Sequence, residues 1–246
     1  MLKIKEYIRA ESLAQAYELN QNRNNRDHVG MLWLKMSNGQ VKKAIDLSGL
    51  GLDKIEETDE AFSIGCMTTL RQLEEHPGLD RYTNGAVKEC VGSIVGVQFR
   101  NLATVGGSIF GRFGFSDVLT LFMALDSYVE LYHGGVVSLA EFAKRKRDRD
   151  ILVRLIVKKT PVKCVYLAYR NTKTDFPVLT CAVSRDERGT RAAVGARPGI
   201  AVLVPIENGD ADAAAEVIPM GSNMRAGAAY RSHLARVFIK RGLADL

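Results

Sequence analysis

Ile94-Val95-Gly96-Val97-Gln98-Phe99-Arg100-Asn101-Leu102-Ala103-Thr104-Val105-Gly106-Gly107-Ser108-Ile109-Phe110-Gly111-Arg112-Phe113-Gly114-Phe115-Ser116-Asp117 is the stretch on which the reading of this chain turns. Four glycines fall between positions 106 and 114, among Thr104, Ser108, Ser116 and Asp117. Glycine lets the backbone take positive φ and lets a large ligand approach main-chain N–H groups. Consecutive exposed N–H groups form a concavity suited to a pyrophosphate. Thr104 and Ser108 would add hydroxyl donors, and Asp117 could accept from ribose hydroxyls. The same residues also fit a turn-rich loop joining strands, because paired glycines are common in turns. Neither G-x-G-x-x-G between strand and helix nor a P-loop ending in Gly-Lys-Ser/Thr occurs.

Working outward, Ser116-Asp117 opens the apolar run VLTLFMALD, read as a buried helix with Ser116 as cap and Asp117 complementing the helix dipole. Ser12-Leu13-Ala14-Gln15 and Ser138-Leu139-Ala140-Glu141 read as capping boxes. A further helix over 69–75 should stop at His76-Pro77. Strands are expected at 44–47, 63–67, 128–132, 151–158, 164–169, 178–184, 191–195 and 201–206. In the last helix Tyr230, Leu234, Val237 and Phe238 fall on one face at i, i+4, i+7, i+8. The expected fold is α+β: an α/β N-terminal part over 1–150, itself split near 55, and an α+β part over 151–246.

The chain has 246 residues, 46% hydrophobic and 25% charged, which is enough to bury a sizeable core. No apolar run approaches the roughly 20 residues that span a bilayer, and the start lacks a signal peptide's apolar core, so a cytoplasmic protein is expected. The charge is +6. Its densest run, Lys144-Arg145-Lys146-Arg147, reads as a solvated helix end and linker. Without interleaved aromatics it is a poor nucleic-acid arm. Cys66, Cys90, Cys164 and Cys181 lie far apart with no C-x-x-C pair, which argues against a metal site or an iron–sulfur cluster held by this chain. The scattered His28, His76, His133 and His233, and the lack of G-x-S-x-G or H-E-x-x-H, leave no self-contained catalytic group.

The run Gln98–Ile109, with Ser116-Asp117 beyond it, resembles the second FAD-binding motif of the molybdopterin dehydrogenase flavin domain, R-N-x-A-T-[IV]-G-G-[NS]-[IL] followed by S-D. That domain occurs in xanthine dehydrogenase, carbon monoxide dehydrogenase and related hydroxylases. Ile64-Gly65-Cys66-Met67-Thr68-Thr69 is similar to its I-G-A-x-T-T segment. Residues 166–179, Val194-Gly195-Ala196-Arg197-Pro198 and the end from Ala229 resemble its C-terminal domain, so the likeness covers nearly the whole chain. The resemblance implies two small α/β subdomains clasping FAD, followed by an α+β domain. It implies FAD contacts from Ala103, Thr104, Gly107, Ser108, Phe110, Gly111, Ser116 and Asp117, with Ile94, Val95, Phe99 and Leu152 packed around the flavin.

The family's first phosphate loop, usually A-G-G-T-D-L, is altered here. The preferred register lays His28-Val29-Gly30-Met31-Leu32-Trp33-Leu34 on it, placing Val29, Gly30, Met31 and Leu32 at the cofactor. A second register uses Arg23-Asn24-Asn25-Arg26-Asp27, with two asparagines that tolerate left-handed backbone. The implied activity is an electron relay without a catalytic acid, base or nucleophile. A molybdopterin subunit oxidises the organic substrate, a [2Fe–2S] subunit passes electrons on, and the flavin reduces NAD or another acceptor. The alternatives are a flavin-free scaffold or assembly subunit, and, with less support, a basic nucleic-acid binder.

Overall fold

The computed structural model describes residues 2–28, 32 and 38–246, with only the backbone of Asp27 and His28. The chain opens with β1 (Lys3–Arg9), α1 (Leu13–Gln21), β2 (Arg26–His28) and β3 (Gln40–Asp46), whose strands form a parallel sheet ordered β1-β3-β2. Ser12 caps α1 as expected, accepting from the Gln15 N–H at 3.1 Å. The reciprocal arm is offset by one residue, because Gln15 Oε1 accepts from the Glu11 N–H at 2.7 Å. Strand β1 was not foreseen. It is an edge strand with almost every residue exposed, so no apolar alternation marks it in the sequence.

The second sheet begins with β4 (Ile55–Glu57) and β5 (Ala61–Gly65). Six short helices follow: α2 (Leu70–Glu75), α3 (Pro77–Tyr82), α4 (Ala86–Gly92), α5 (Val97–Arg100), α6 (Val105–Phe110) and α7 (Asp117–Ala124). The chain then returns through β6 (Ser127–Leu131), β7 (Gly135–Ser138), α8 (Leu139–Lys144) and β8 (Leu152–Lys158). The strand order is β4-β5-β8-β6-β7, antiparallel throughout. Strand β8 therefore pairs between β5 and β6, with Leu155 and Val157 fully buried, although the sequence reading assigned it to the C-terminal part. Its closeness in sequence to the later strands concealed partners that lie far back in the chain. His76-Pro77 breaks the helix as expected but also starts α3. His76 Nδ1 accepts from the Leu79 N–H at 3.2 Å, and Pro77 stands at the first helical position, where a missing N–H costs nothing.

The C-terminal strands β9 (Lys163–Tyr169), β10 (Leu179–Asp186), β11 (Gly189–Gly195) and β12 (Val202–Pro205) form an antiparallel meander, followed by α9 (Ala211–Glu216) and α10 (Ala228–Ala244). The buried stripe of α10 is Arg231, Leu234, Ala235, Phe238, Ile239 and Gly242, one residue round from the expected face, and Tyr230 is 45% exposed. The cause is Arg231. Its buried guanidinium donates to the carbonyls of Val178 at 2.9 Å, Gly221 at 2.9 Å and Ala226 at 2.5 Å, and to Asn223 Oδ1 at 2.6 Å. An arginine reads as surface in a sequence, but here four acceptors compensate its burial.

Helix α7 is buried along its whole length and joins the two parts. It packs on β10 and β11 from one side and on α4, α6 and β6 from the other. Its C-terminal carbonyl, Ala124 O, accepts from Ser184 Oγ at 2.5 Å and Arg191 Nε at 2.9 Å. A Cβ at Gly195 would lie 2.1 Å from Thr120 Oγ1, so the sheet approaches this helix as closely as only glycine allows. The N-terminus of α7 is Ser116-Asp117, the end of the motif stretch.

Candidate cofactor site

The motif folds as a short helical path, α5–α6–α7, against the turn that follows β5. Thr104 forms an isolated bridge with Thr69, and its hydroxyl accepts from the Gly107 N–H at 3.2 Å. The Leu70 N–H donates to Ala103 O at 2.8 Å, Val105 N–H to Thr68 O at 2.9 Å, and Gly106 N–H to Cys66 O at 2.8 Å. The Ser108 N–H donates to Thr104 O at 3.1 Å, and the Ser108 hydroxyl donates to the same oxygen at 2.9 Å. The amides of residues 105–108 are thus all paired within the chain. This corrects the expectation of consecutive unpaired donors. The opening turn of α6 has orphan N–H groups that need acceptors, and the cap and the 66–68 turn supply them.

Ser116 is buried at this junction, accepting from the Leu119 N–H at 3.1 Å and donating to Ser108 O at 2.7 Å. Asp117 is 5% exposed, and its Oδ1 accepts from both Tyr166 Oη and Arg170 Nη2, each at 2.6 Å. Burial pushes the Asp117 carboxyl above the ordinary aspartate range, against the opposing pull of Arg170 and Tyr166. Arg170 is itself fixed from behind, since its Nε donates to Asp175 O at 3.1 Å. Neither Tyr166 nor Arg170 was foreseen as an Asp117 partner. The only indication was that both lie in the stretch resembling the family's C-terminal domain.

Of the other expected contacts, Gly107, Ser108, Phe110 and Gly111 are half-buried along α6 and its end, and Ile94 and Phe99 are half-buried beside them in the chain. Ala103 and Thr104 are buried, and Leu152 lies in the main core opposite Leu131 at the start of β8. Val95 is 43% exposed and has φ of 50°, a left-handed conformation that a β-branched residue adopts only under constraint. Arg100 supplies part of that constraint by donating to Ile94 O at 3.1 Å. Its Nε and Nη2 grip Glu74 at 2.8 and 3.0 Å, and Arg71 reaches the same carboxylate at 2.8 Å. Burial would raise the Glu74 carboxyl, but the hydrogen bonds from Arg100 and Arg71 outweigh it and hold it below the ordinary value. Val29, Gly30 and Met31 lie outside the described residues. Leu32 is half-buried and packs against the main core.

The C-terminal part closes on this stretch. The Ala196 N–H donates to Gly114 O at 2.7 Å, and a Cβ at Gly114 would meet Gly199 O at 2.6 Å. Phe115 sits between Phe113 and Phe176, with ring centroids 5.2 and 4.4 Å away. Buried Arg112 lies 3.8 Å above the Phe142 ring and donates to the carbonyls of Phe142 at 3.1 Å and Phe110 at 3.0 Å, near the C-terminal ends of α8 and α6. A cation there complements both helix dipoles. The described residues hold no cluster of His, Cys, Asp or Glu suited to a metal. All four cysteines are buried and none is joined in a disulfide, and burial pushes the Cys164 thiol up to about 12. No described helix is long and apolar enough to cross a membrane.

Taken together, three small sheets with a glycine-rich helical turn between them define a fold with close counterparts among solved structures. Carbon monoxide dehydrogenase from Hydrogenophaga pseudoflava, lacking the Mo-pyranopterin moiety of its molybdenum cofactor, superimposes with TM-score 0.86 at 21% identity, over 98% of this chain and 96% of that one. Reconstituted CO dehydrogenase from Oligotropha carboxidovorans gives 0.86 at 20% identity, over 99% and 97%. Quinoline 2-oxidoreductase from Pseudomonas putida 86 gives 0.82 at 19% identity, over 97% and 95%. The family pattern described as the FAD binding domain in molybdopterin dehydrogenase matches residues 2–160, and the chain belongs to that family. A protein of Escherichia coli (strain K12), YgfM, carried as uncharacterized, is 27% identical over 98% of this chain and 96% of its own length.

Proposed function

We propose that this chain is the FAD-binding, electron-transferring subunit of a cytoplasmic molybdenum hydroxylase of the xanthine dehydrogenase kind. It takes electrons from a [2Fe–2S] subunit, which is fed by a molybdopterin-binding subunit, and passes them to NAD or another acceptor. The observation that carries this is the family membership together with the half-exposed face of α6. There the small, polar Gly107 and Ser108 adjoin the apolar Phe110, with Ile94 and Phe99 close in the chain. That donor set fits FAD: glycine admits close approach, a hydroxyl can hydrogen-bond, and apolar groups suit a flat ring system. Bound FAD supplies the redox chemistry, and the protein's part is binding, orientation and electrostatics.

The residues divide that work as follows. Gly107 and Ser108 receive the polar portion, aided by Val29, Gly30, Met31 and Leu32 of the altered first loop. Ile94, Val95, Phe99 and Phe110 line the ring and exclude water from it, with Leu152 packing behind. Asp117 accepts a hydroxyl, while Ala103, Thr104, Gly111 and Ser116 keep the turn in shape. The buried thiols of Cys90, Cys164 and Cys181, pushed up by burial, fit a chain that works beside clusters held by another subunit.

The test is an absorption spectrum after incubation with excess FAD and removal of free ligand, for wild type and Gly107→Trp. Oxidised-flavin bands in the wild type alone support the reading. A folded wild type without them overturns it in favour of a flavin-free scaffold subunit. One observation favours that second reading: the motif amides are already spent inside the chain.

A further inference from the structure

We propose that Tyr166 of β9 and Arg170, the residue just past that strand, hold Asp117 as an ionised carboxylate whose second oxygen is left to accept a hydroxyl of bound FAD. This inference rests on the FAD-binding reading and deepens it: the C-terminal part completes the cofactor site through Arg170 as a positioning residue.

Geometry carries the argument. Asp117 begins α7 within the motif, while Tyr166 and Arg170 lie 49 and 53 residues further along the chain. Both donors end on the same oxygen, Oδ1, at 2.6 Å, and apart from the Asp117 N–H itself no described hydrogen bond falls elsewhere on the carboxylate, which leaves Oδ2 with acceptor capacity. Arg170 cannot easily turn away, because Nε is tied to Asp175 O, and Asp175 is in turn held by Arg225 at 2.8 Å. The side chains of Asp117 and Arg170 are 6% and 7% exposed, so water contributes little to keeping either charge. A carboxylate can only accept, whereas a protonated carboxyl must donate from one oxygen. Whether Asp117 serves a cofactor hydroxyl as a pure acceptor therefore depends on its partners.

Among the described residues, the titratable and charged groups facing Asp117 are Tyr166 of β9, Arg170 just past it and the Cys90 thiol of α4. Cys90 and Tyr166 are pushed far up by burial and stay neutral, which leaves Arg170 as the charge among these three groups that favours the ionised form. Burial by itself favours the protonated form. Removing the guanidinium while keeping a hydrogen-bonding side chain should thus raise the pH at which the site loses its acceptor.

The experiment measures FAD affinity by flavin fluorescence quenching from pH 8 to pH 5.5, with circular dichroism at each pH to establish folding. The proteins are wild type, Arg170→Gln, Arg170→Lys, Tyr166→Phe and Asp117→Asn. Wild type and Arg170→Lys should hold their affinity to lower pH than Arg170→Gln does. Arg170→Gln should lose affinity as pH falls, approaching about tenfold per pH unit, as uptake of one proton requires. Asp117→Asn should bind weakly at every pH, and Tyr166→Phe severalfold more weakly than wild type. Should Arg170→Gln fail to fold, Arg170→Lys and Asp117→Asn still decide: equal affinity of Asp117→Asn and wild type overturns the inference. So does an Arg170→Gln profile parallel to that of wild type. If wild type itself takes up no FAD, the reading beneath falls first and this inference with it.

Discussion

Replacing Arg100 with methionine tests whether the motif arginine is a structural clamp. Its side chain is 6% exposed and its bonds go to Glu74, 12% exposed, and to the Ile94 carbonyl. Breaking a buried ion pair by removing one partner costs about 3–5 kcal/mol. Arg71 remains on the same carboxylate, which should bring that share down to about 2 kcal/mol, and the lost bond to Ile94 O adds about 1 kcal/mol. The expected total is about 3 kcal/mol, a fall in Tm of about 6–12 °C for a chain of this size. Urea unfolding should show a lower midpoint with unchanged slope. A cycle with Glu74→Gln should give a coupling energy of about 1–3 kcal/mol. The pH dependence fixes the sign. The Glu74 carboxyl lies below its ordinary 4.5 when folded, so its contribution is full above pH 4.5 and is lost as pH falls through the folded value. Arg100→Met should shrink that acid-side loss. A total effect under about 0.5 kcal/mol, as at an ordinary surface site, or a cycle without coupling, would refute the clamp.

Three further outcomes follow from local geometry. Gly114→Ala places a Cβ 2.6 Å from Gly199 O, a backbone atom that cannot step aside, so a loss of about 1–3 kcal/mol is expected in denaturant titration. Val95→Gly relieves a β-branched residue at φ of 50°; the gain of about 1–2 kcal/mol is partly offset by glycine's entropy, leaving about 0.5–1 kcal/mol net stabilisation. If the strain serves the cofactor, FAD affinity of Val95→Gly should fall while stability rises. The Asp186 carboxyl, 1% exposed, is held well below its ordinary 3.8 by hydrogen bonds from Arg191 and then Arg188. Its contribution is present above pH 3.8 and lost below, so Asp186→Asn should cost about 3 kcal/mol at pH 7 and flatten the acid limb of the stability curve.

Much of the fold was legible because local chemistry announced it. Ser116 caps α7 as read, and the meander strands fall within two residues of their expected bounds. What failed shares one cause, partners remote in sequence. Strand β1 shows no periodicity because it is an exposed edge, and β8 finds its neighbours at β5 and β6 rather than in the strands after it. Arg231 turns the buried face of α10 by one residue because acceptors on two other segments, Val178 and the 221–226 loop, receive it. At the site, the motif showed which residues cluster but not that its amides are committed to residues 66–68. Nor did it show that Asp117 is gripped from β9 and the residue just past it, since no spacing rule links residues 49 and 53 positions apart.

The commitment of those amides bears on why the glycines are there. A nest of free donors would make Gly106 and Gly107 equivalent, each needed for the approach of a phosphate. The structure separates them. Gly106 is buried, and its N–H is tied to Cys66 O, so it serves the packing of α6 on the turn after β5. Gly107 is half-exposed beside Ser108, on the face proposed to receive FAD. Gly106→Ala should therefore destabilise by about 1–3 kcal/mol through overpacking, with the folded protein binding FAD as before. Gly107→Ala should leave stability level or raise it by about 0.5–1 kcal/mol, as expected for alanine in a helix, yet weaken FAD binding. Thermal denaturation and flavin titration on the same two variants separate the roles. Equal losses of affinity at both positions would mean that the amides leave their internal partners when the cofactor arrives.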